Sequence, residues 1–333
     1  MTRRFSGPRR LPRAAFTMIE LLVVIAILAV MVALLTAAVQ RVRIVANRTK
    51  AVAEMAQMSN AIAAFKTDYK MTFIPSAITL RERMDYNVGD PSLRVLKQIW
   101  PMLPAPPSNG VSPFPAGVGI DWNGDGAISQ VAVTLEGDQC LVFFLGGIPI
   151  ATGFAVWSEG IPGAGTLGFG SNPSNPSAGL GGSTKRYYEF QSNRLIKSKN
   201  VAGQNGFYSY ADPFGTPYAF FSSNGAKNGY TNAPGGDCPT VMSVFNTPQF
   251  NTPVFIPYKD SSGAFIQPTG FQIVCGGAKG NVLRYAGSGD ADLGFGMGGL
   301  LQAGQFPDNG DSPDSDNVTS FFAGPLSSYG ITN

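Results

Sequence analysis

Residues 16–39 read Phe16-Thr17-Met18-Ile19-Glu20-Leu21-Leu22-Val23-Val24-Ile25-Ala26-Ile27-Leu28-Ala29-Val30-Met31-Val32-Ala33-Leu34-Leu35-Thr36-Ala37-Ala38-Val39, and past Glu20 the only polar side chain is Thr36. As a helix these 24 residues rise about 36 Å, whereas roughly 20 residues span a bilayer. A carboxylate inside such a run is costly, about 2.5–3.5 kcal/mol at mid-bilayer and less near an end. Glu20 therefore needs a partner. Its placement decides the fold at this end of the chain.

Residues 1–15 carry Arg3, Arg4, Arg9, Arg10 and Arg13 and no acid. Taking those five from the 24 basic residues leaves 19 against 21 acids, a net charge of −2. The basic balance thus belongs to the leader, and nothing in it points to nucleic acid. Arginines ahead of an apolar run hold that end in the cytoplasm and send the remainder of the chain across the membrane. In an ordinary secretory signal the run would be discarded near Thr36-Ala37-Ala38. A cut at Ala15-Phe16 would instead leave it on the mature protein. A disposable run gains nothing from Glu20, which favours the retained helix.

The stretch A-F-T-M-I-E-L-L-V-V-I-A-I-L-A resembles the processing signal of type IV prepilins and type II secretion pseudopilins, written G-F-T-L-I-E-L. The resemblance implies a prepilin peptidase that cuts after Ala15 and methylates the new terminus at Phe16. It also implies that Glu20 pairs with the terminal amine of a neighbouring subunit during assembly. Ala15 stands where glycine is commoner. Residues 16 and 20 share a helical face, and the first turn favours a negative charge.

Beyond Val39 the pattern turns amphipathic. Arg41, Arg43, Arg48, Lys50 and Glu54 mark an expected wet face. Met55, Met58, Ile62, Phe65 and Tyr69 recur at helical spacing as an expected core stripe. No glycine or proline interrupts residues 16–69, so one helix is expected, half in lipid and half on a globular head. Its exit resembles the pseudopilin pattern at Phe65, Asp68, Phe73 and Pro75, with Pro75 expected to end it. The expected fold is α+β and type IV pilin-like, an antiparallel head with long loops. The expected divisions are a leader at 1–15, a membrane half at 16–39, an amphipathic half at 40–75 and a head at 76–333.

Candidate strands are Val131-Leu135, Leu141-Leu145, Phe207-Tyr210, Tyr218-Ser222 and Phe271-Cys275, separated by turn-forming clusters. Residues 163–183 read as a surface loop. Asp212-Pro213-Phe214-Gly215-Thr216-Pro217-Tyr218 resembles the D-P-W-G-N-P-Y hairpin of major pseudopilins, and Phe271-Gly277 the strand after it. The stretch around 80–200 has no counterpart in the short members. The chain therefore resembles an enlarged relative of the planctomycete type.

Two segments suit calcium. Asp121, Asn123, Asp125, Ala127 and Ser129 follow the first nine positions of an EF-hand-like loop, D-x-N-x-D-G-x-I-S. Its twelfth position is Ala132, so Glu136, Asp138 or another loop must supply the missing acid. A plain Asx-Gly turn fits the same residues. Asp308, Asp311, Asp314 and Asp316 form the second, where the resemblance implies a calcium loop and a solvated acidic tail also fits. Of three cysteines, Cys140 reads as core, and Cys238-Cys275 is the expected pair if a disulfide forms.

The chain has no histidine, which removes serine–histidine and cysteine–histidine relays and histidine-bound zinc. No glycine-rich phosphate loop follows a strand. The expected role is a structural subunit of a secretion pseudopilus or type IV pilus-like filament, not an enzyme. Its partners would be the prepilin peptidase, the inner membrane and other subunits through residues 16–70. The alternative is a membrane-anchored binding module for cargo or polymer.

Overall fold

The computed structural model describes residues 17–150, 165–180, 184–197, 207–215, 217–223, 225–227, 229–230, 257–258, 264–277 and 318–325. A single 51-residue helix, α1 (Met18–Asp68), opens it. From Met18 to Ala46 every described side chain is exposed. Thr36 satisfies its hydroxyl inside the helix, donating to the Val32 carbonyl at 2.8 Å. A lipid-facing hydroxyl needs such a partner.

From residue 47 onward the same helix has a buried side. Ala51, Met55, Met58, Ile62 and Phe65 lie within the core, and Tyr69 packs against it half-buried. The stripe read from spacing is therefore the helix's seat in the head. Glu54 departs from expectation, since it is 6 % exposed rather than on the wet face. Its Oε1 and Oε2 accept from Arg194 Nη1 and Nη2 at 2.5 and 2.8 Å, and Oε2 also accepts from the Tyr218 hydroxyl at 2.8 Å. Arg194 lies over the Tyr210 ring at 4.5 Å and donates through Nε to the Ala211 carbonyl. The fork-shaped pairing satisfies the buried charge from both sides.

Pro75 does not end α1. The helix stops at Asp68, where Lys70 takes a left-handed conformation (φ 50°). The Met71 N–H then bonds the Lys66 carbonyl and the Lys70 N–H the Thr67 carbonyl, the two bonds of a Schellman end. The amphipathic half is accordingly shorter than the 40–75 expected.

The head carries short antiparallel pairings. Strands β1 (Ile78–Leu80) and β2 (Val133–Leu135) form one pair, and β3 (Leu195–Lys197) and β4 (Tyr208–Tyr210) another. A four-stranded sheet orders β5 (Ala219–Ser222), β6 (Phe271–Cys275), β7 (Val318–Thr319) and β8 (Phe322–Pro325). Between β4 and β5 the Asp212 turn closes as expected, with Ala211 bridging Pro217 and Gly215 at φ 94°. Between β1 and β2 lies a helix the sequence reading lacked, α2 (Pro91–Ile99), capped by Asp90.

Leu141-Leu145 is not a strand. It sits inside α3 (Gly137–Gly146), every residue of which is buried. A continuous apolar run suits either element when all its faces are covered, so hydropathy could not separate them. The Gln139 side chain accepts from the Glu136 N–H at the helix start and favours the helical turn. Gly137 lies against β5, where an added Cβ would meet the Phe220 carbonyl oxygen at 1.8 Å. Around α3 an aromatic cluster joins Phe143, Trp100, Trp122 and Phe169 at centroid spacings of 4.8–6.0 Å.

Candidate functional site

The start of α1 is closed by its own side chains. The Thr17 N–H and hydroxyl both donate to Glu20 Oε2, at 2.9 and 2.8 Å. The Glu20 N–H returns a bond to Thr17 Oγ1 at 3.3 Å, completing a reciprocal capping box. Glu20 is thereby turned toward the N-terminal end of its helix. Sequence reasoning assigns Glu20 to the terminal amine and misses Thr17, although T-x-x-E is a legible capping pattern. Ala15 and Phe16 lie outside the described residues.

The 121–129 loop has the internal bonding of an EF-hand-like turn. Asp121 accepts from the Gly124 and Gly126 N–H groups at 2.7 and 2.9 Å. Asn123 accepts from Asp125 and donates to it, and Asp125 accepts from Ala127. Gly126, at the sixth position, has φ 79°. That value supplies the sharp bend the loop needs.

Neither Glu136 nor Asp138 serves this loop. Asp138 accepts from the Ser209 hydroxyl at 2.5 Å, and Glu136 begins α3. The acid beside the loop is Glu82, 6 % exposed, whose Oε2 accepts from the Ser129 N–H at 2.5 Å. Its backbone carbonyl also accepts from Ile120. Burial pushes the Glu82 carboxyl up to about 7, and the charges of Asp121 and Asp125 push the same way. Glu82 and Ser129 stand 47 residues apart, so no local pattern could have joined them.

Among the described residues no three His, Cys, Asp or Glu side chains converge as a metal cluster. The side-chain oxygens of Asp121, Asn123 and Asp125 are carboxylates and an amide, and they accept from the loop's own N–H groups. That set suits a hard cation and excludes a soft one. Each carboxylate oxygen carries two lone pairs, so a bond to a loop amide leaves room for an ion. Asp308, Asp311, Asp314 and Asp316 lie outside the described residues.

Cys140 is a buried free thiol. Cys275 also carries a thiol, which donates to Asp212 Oδ2 at 2.9 Å. Cys238, the other half of the expected Cys238-Cys275 pair, lies outside the described residues. Asp212 Oδ2 accepts from the Gly276 N–H as well, tying the 212–218 turn to the end of β6.

Among the described residues, α1 is the one helix long and apolar enough to cross a membrane. A family model described as the prokaryotic N-terminal methylation motif matches residues 10–36. No curated protein and no solved structure matches the chain. The match begins within the arginine leader, covers Glu20 and ends at Thr36, inside the exposed apolar half of α1. Residues 10–36 thus carry the N-terminal methylation signature of prepilins and pseudopilins.

Proposed function

We propose that the chain is a structural, non-catalytic subunit of a type II secretion pseudopilus or type IV pilus-like filament. The observation that carries this reading is the methylation motif at the head of a 51-residue helix whose first half is exposed and apolar. Prepilin peptidase cuts between Ala15 and Phe16 and methylates Phe16. The apolar half of α1 then holds the protein in the inner membrane, with the head across it, until subunits join through their helices. In the joined state Glu20 meets the Phe16 amine of a neighbour. Pairing there sets register more than it adds net energy, since desolvating both charges offsets much of the attraction.

Mass spectrometry of the mature N-terminus tests the processing step, and N-methyl-Phe16 is the expected species. A terminus near Val39 would sink the reading. Glu20→Ala should leave cleavage intact and lower incorporation into filaments several-fold. Unchanged incorporation would remove the pairing step.

A membrane-anchored binding module is the second reading. A groove of about 490 Å³ favours it, lined by Lys50, Gln57, Tyr187, Tyr188 and Glu189 among others. Crosslinking in intact membranes separates the two: multimers support the filament subunit, a monomer the binding module.

Calcium belongs to the proposal as a structural ion of the head. Asp121, Asn123, Asp125, the Ala127 carbonyl and Ser129 would hold it. Adding about 1 mM calcium, the scale of extracellular calcium modules, should raise the melting temperature of the full chain by several degrees. Asp121→Ala should abolish the rise. An unchanged wild-type melting temperature would remove the ion.

A further inference from the structure

Glu136 and Asp138 stand two residues apart at the start of α3, away from the membrane and from the 121–129 loop. Asp138 is 1 % exposed, and its Oδ2 accepts from the Ser209 hydroxyl of β4 at 2.5 Å. The Glu136 side chain accepts from the Gln139 N–H, but its Oε2 is buried with no hydrogen-bond partner. From β5 the neighbouring polar group is the Phe220 carbonyl, packed against Gly137, and a carbonyl cannot donate to a carboxylate. Cys140, on the same helix, is a buried thiol and adds no positive charge. The charge acting on Glu136 is that of Asp138, with no lysine or arginine among the described residues opposing it.

A helix start carries only roughly half a positive charge, too little to offset two carboxylates. Two buried carboxylates so close repel, and one oxygen here has nothing to accept from. We propose that Glu136 and Asp138 share one proton at neutral pH, which makes the seating of α3 against β5 a pH-sensitive joint. The short bond from Ser209 places the negative charge on Asp138 and leaves the proton with Glu136. Burial, and next the Asp138 charge, push the Glu136 carboxyl up to about 9. The folded chain thus keeps a proton that an unfolded chain releases near 4.5. Stability from this joint is full below that value, declines as pH rises and is lost through about 9.

Carbon-13 NMR of the full chain in detergent, with labelled glutamate, reads the proton directly. One glutamate carboxyl should titrate above pH 8 and disappear in Glu136→Gln. All glutamates ionised by pH 8 would overturn the inference, and that reading needs no variant. In parallel, wild type should lose about 5 °C of melting temperature between pH 6 and 9.5. Glu136→Gln should lose distinctly less, and equal losses in both proteins would likewise overturn it.

Discussion

The two halves of α1 share one continuous helical backbone but meet opposite fates. From Met18 to Ala46 every described side chain is exposed, whereas from Ala51 to Phe65 one side of the helix is buried. From Leu21 to Val39 the first half is apolar all round, with no dry side distinct from a wet one. The second confines its apolar residues to a stripe and interleaves Lys50, Gln57, Asn60 and Lys66. Helicity stems from the absence of glycine and proline in both. The distribution of apolar residues decides what each half packs against.

This comparison can be broken most severely at the buried ion pair between Arg194 and Glu54, which fastens the second half. Arg194→Ala would strand the buried Glu54 carboxylate, and such losses cost about 3–5 kcal/mol. Urea unfolding followed on the head should report it, while membrane extraction stays as in wild type. A loss below about 1 kcal/mol would mean that Glu54 finds another partner. In the first half the matching insult is Leu28→Arg, costing about 2.5–3.5 kcal/mol of insertion at mid-bilayer. Here the effect should appear as protein released into the carbonate-soluble fraction, with the head's unfolding midpoint unchanged. A shifted midpoint would show that residue 28 supports the head.

The smallest effect expected lies at the helix exit. Lys70 holds φ 50°, a region that glycine enters without a Cβ penalty. Lys70→Gly should stabilise the head by about 0.5–1 kcal/mol, seen as a small rise in urea midpoint. Destabilisation would mean that the lysine side chain makes a contact worth more than its backbone strain.

Legibility along the chain tracks how local the determining interactions are. The α1 stripe, the strands at 133–135, 208–210, 219–222 and 271–275 and the Asp212 turn all rest on spacings within a few residues, and each is readable. The end of α1 is misread because Pro75 is a louder signal than a lysine in a left-handed conformation. Glu54 reads as solvated because its fork partner lies 140 residues downstream. Leu141–Leu145 reads as a strand because a run covered on every face has lost its period. At the 121–129 loop the turn-forming Asp and Asn spacing is legible, but the buried Glu82 that accepts from Ser129 is not, since only folding brings it there. The methylation motif over residues 10–36 is legible because it is a linear string that needs no folding to be read.

Gly137 gives this division a practical use. Any side chain at 137 would strike the Phe220 carbonyl and prise the start of α3 from the sheet. Gly137→Ala is thus a natural design for a heat-sensitive protein. At low temperature its head would fold, and on warming the head would open while the anchor stayed in place. Such a variant would let insertion proceed and then switch off whatever the head does, within the same cell and on the same molecules.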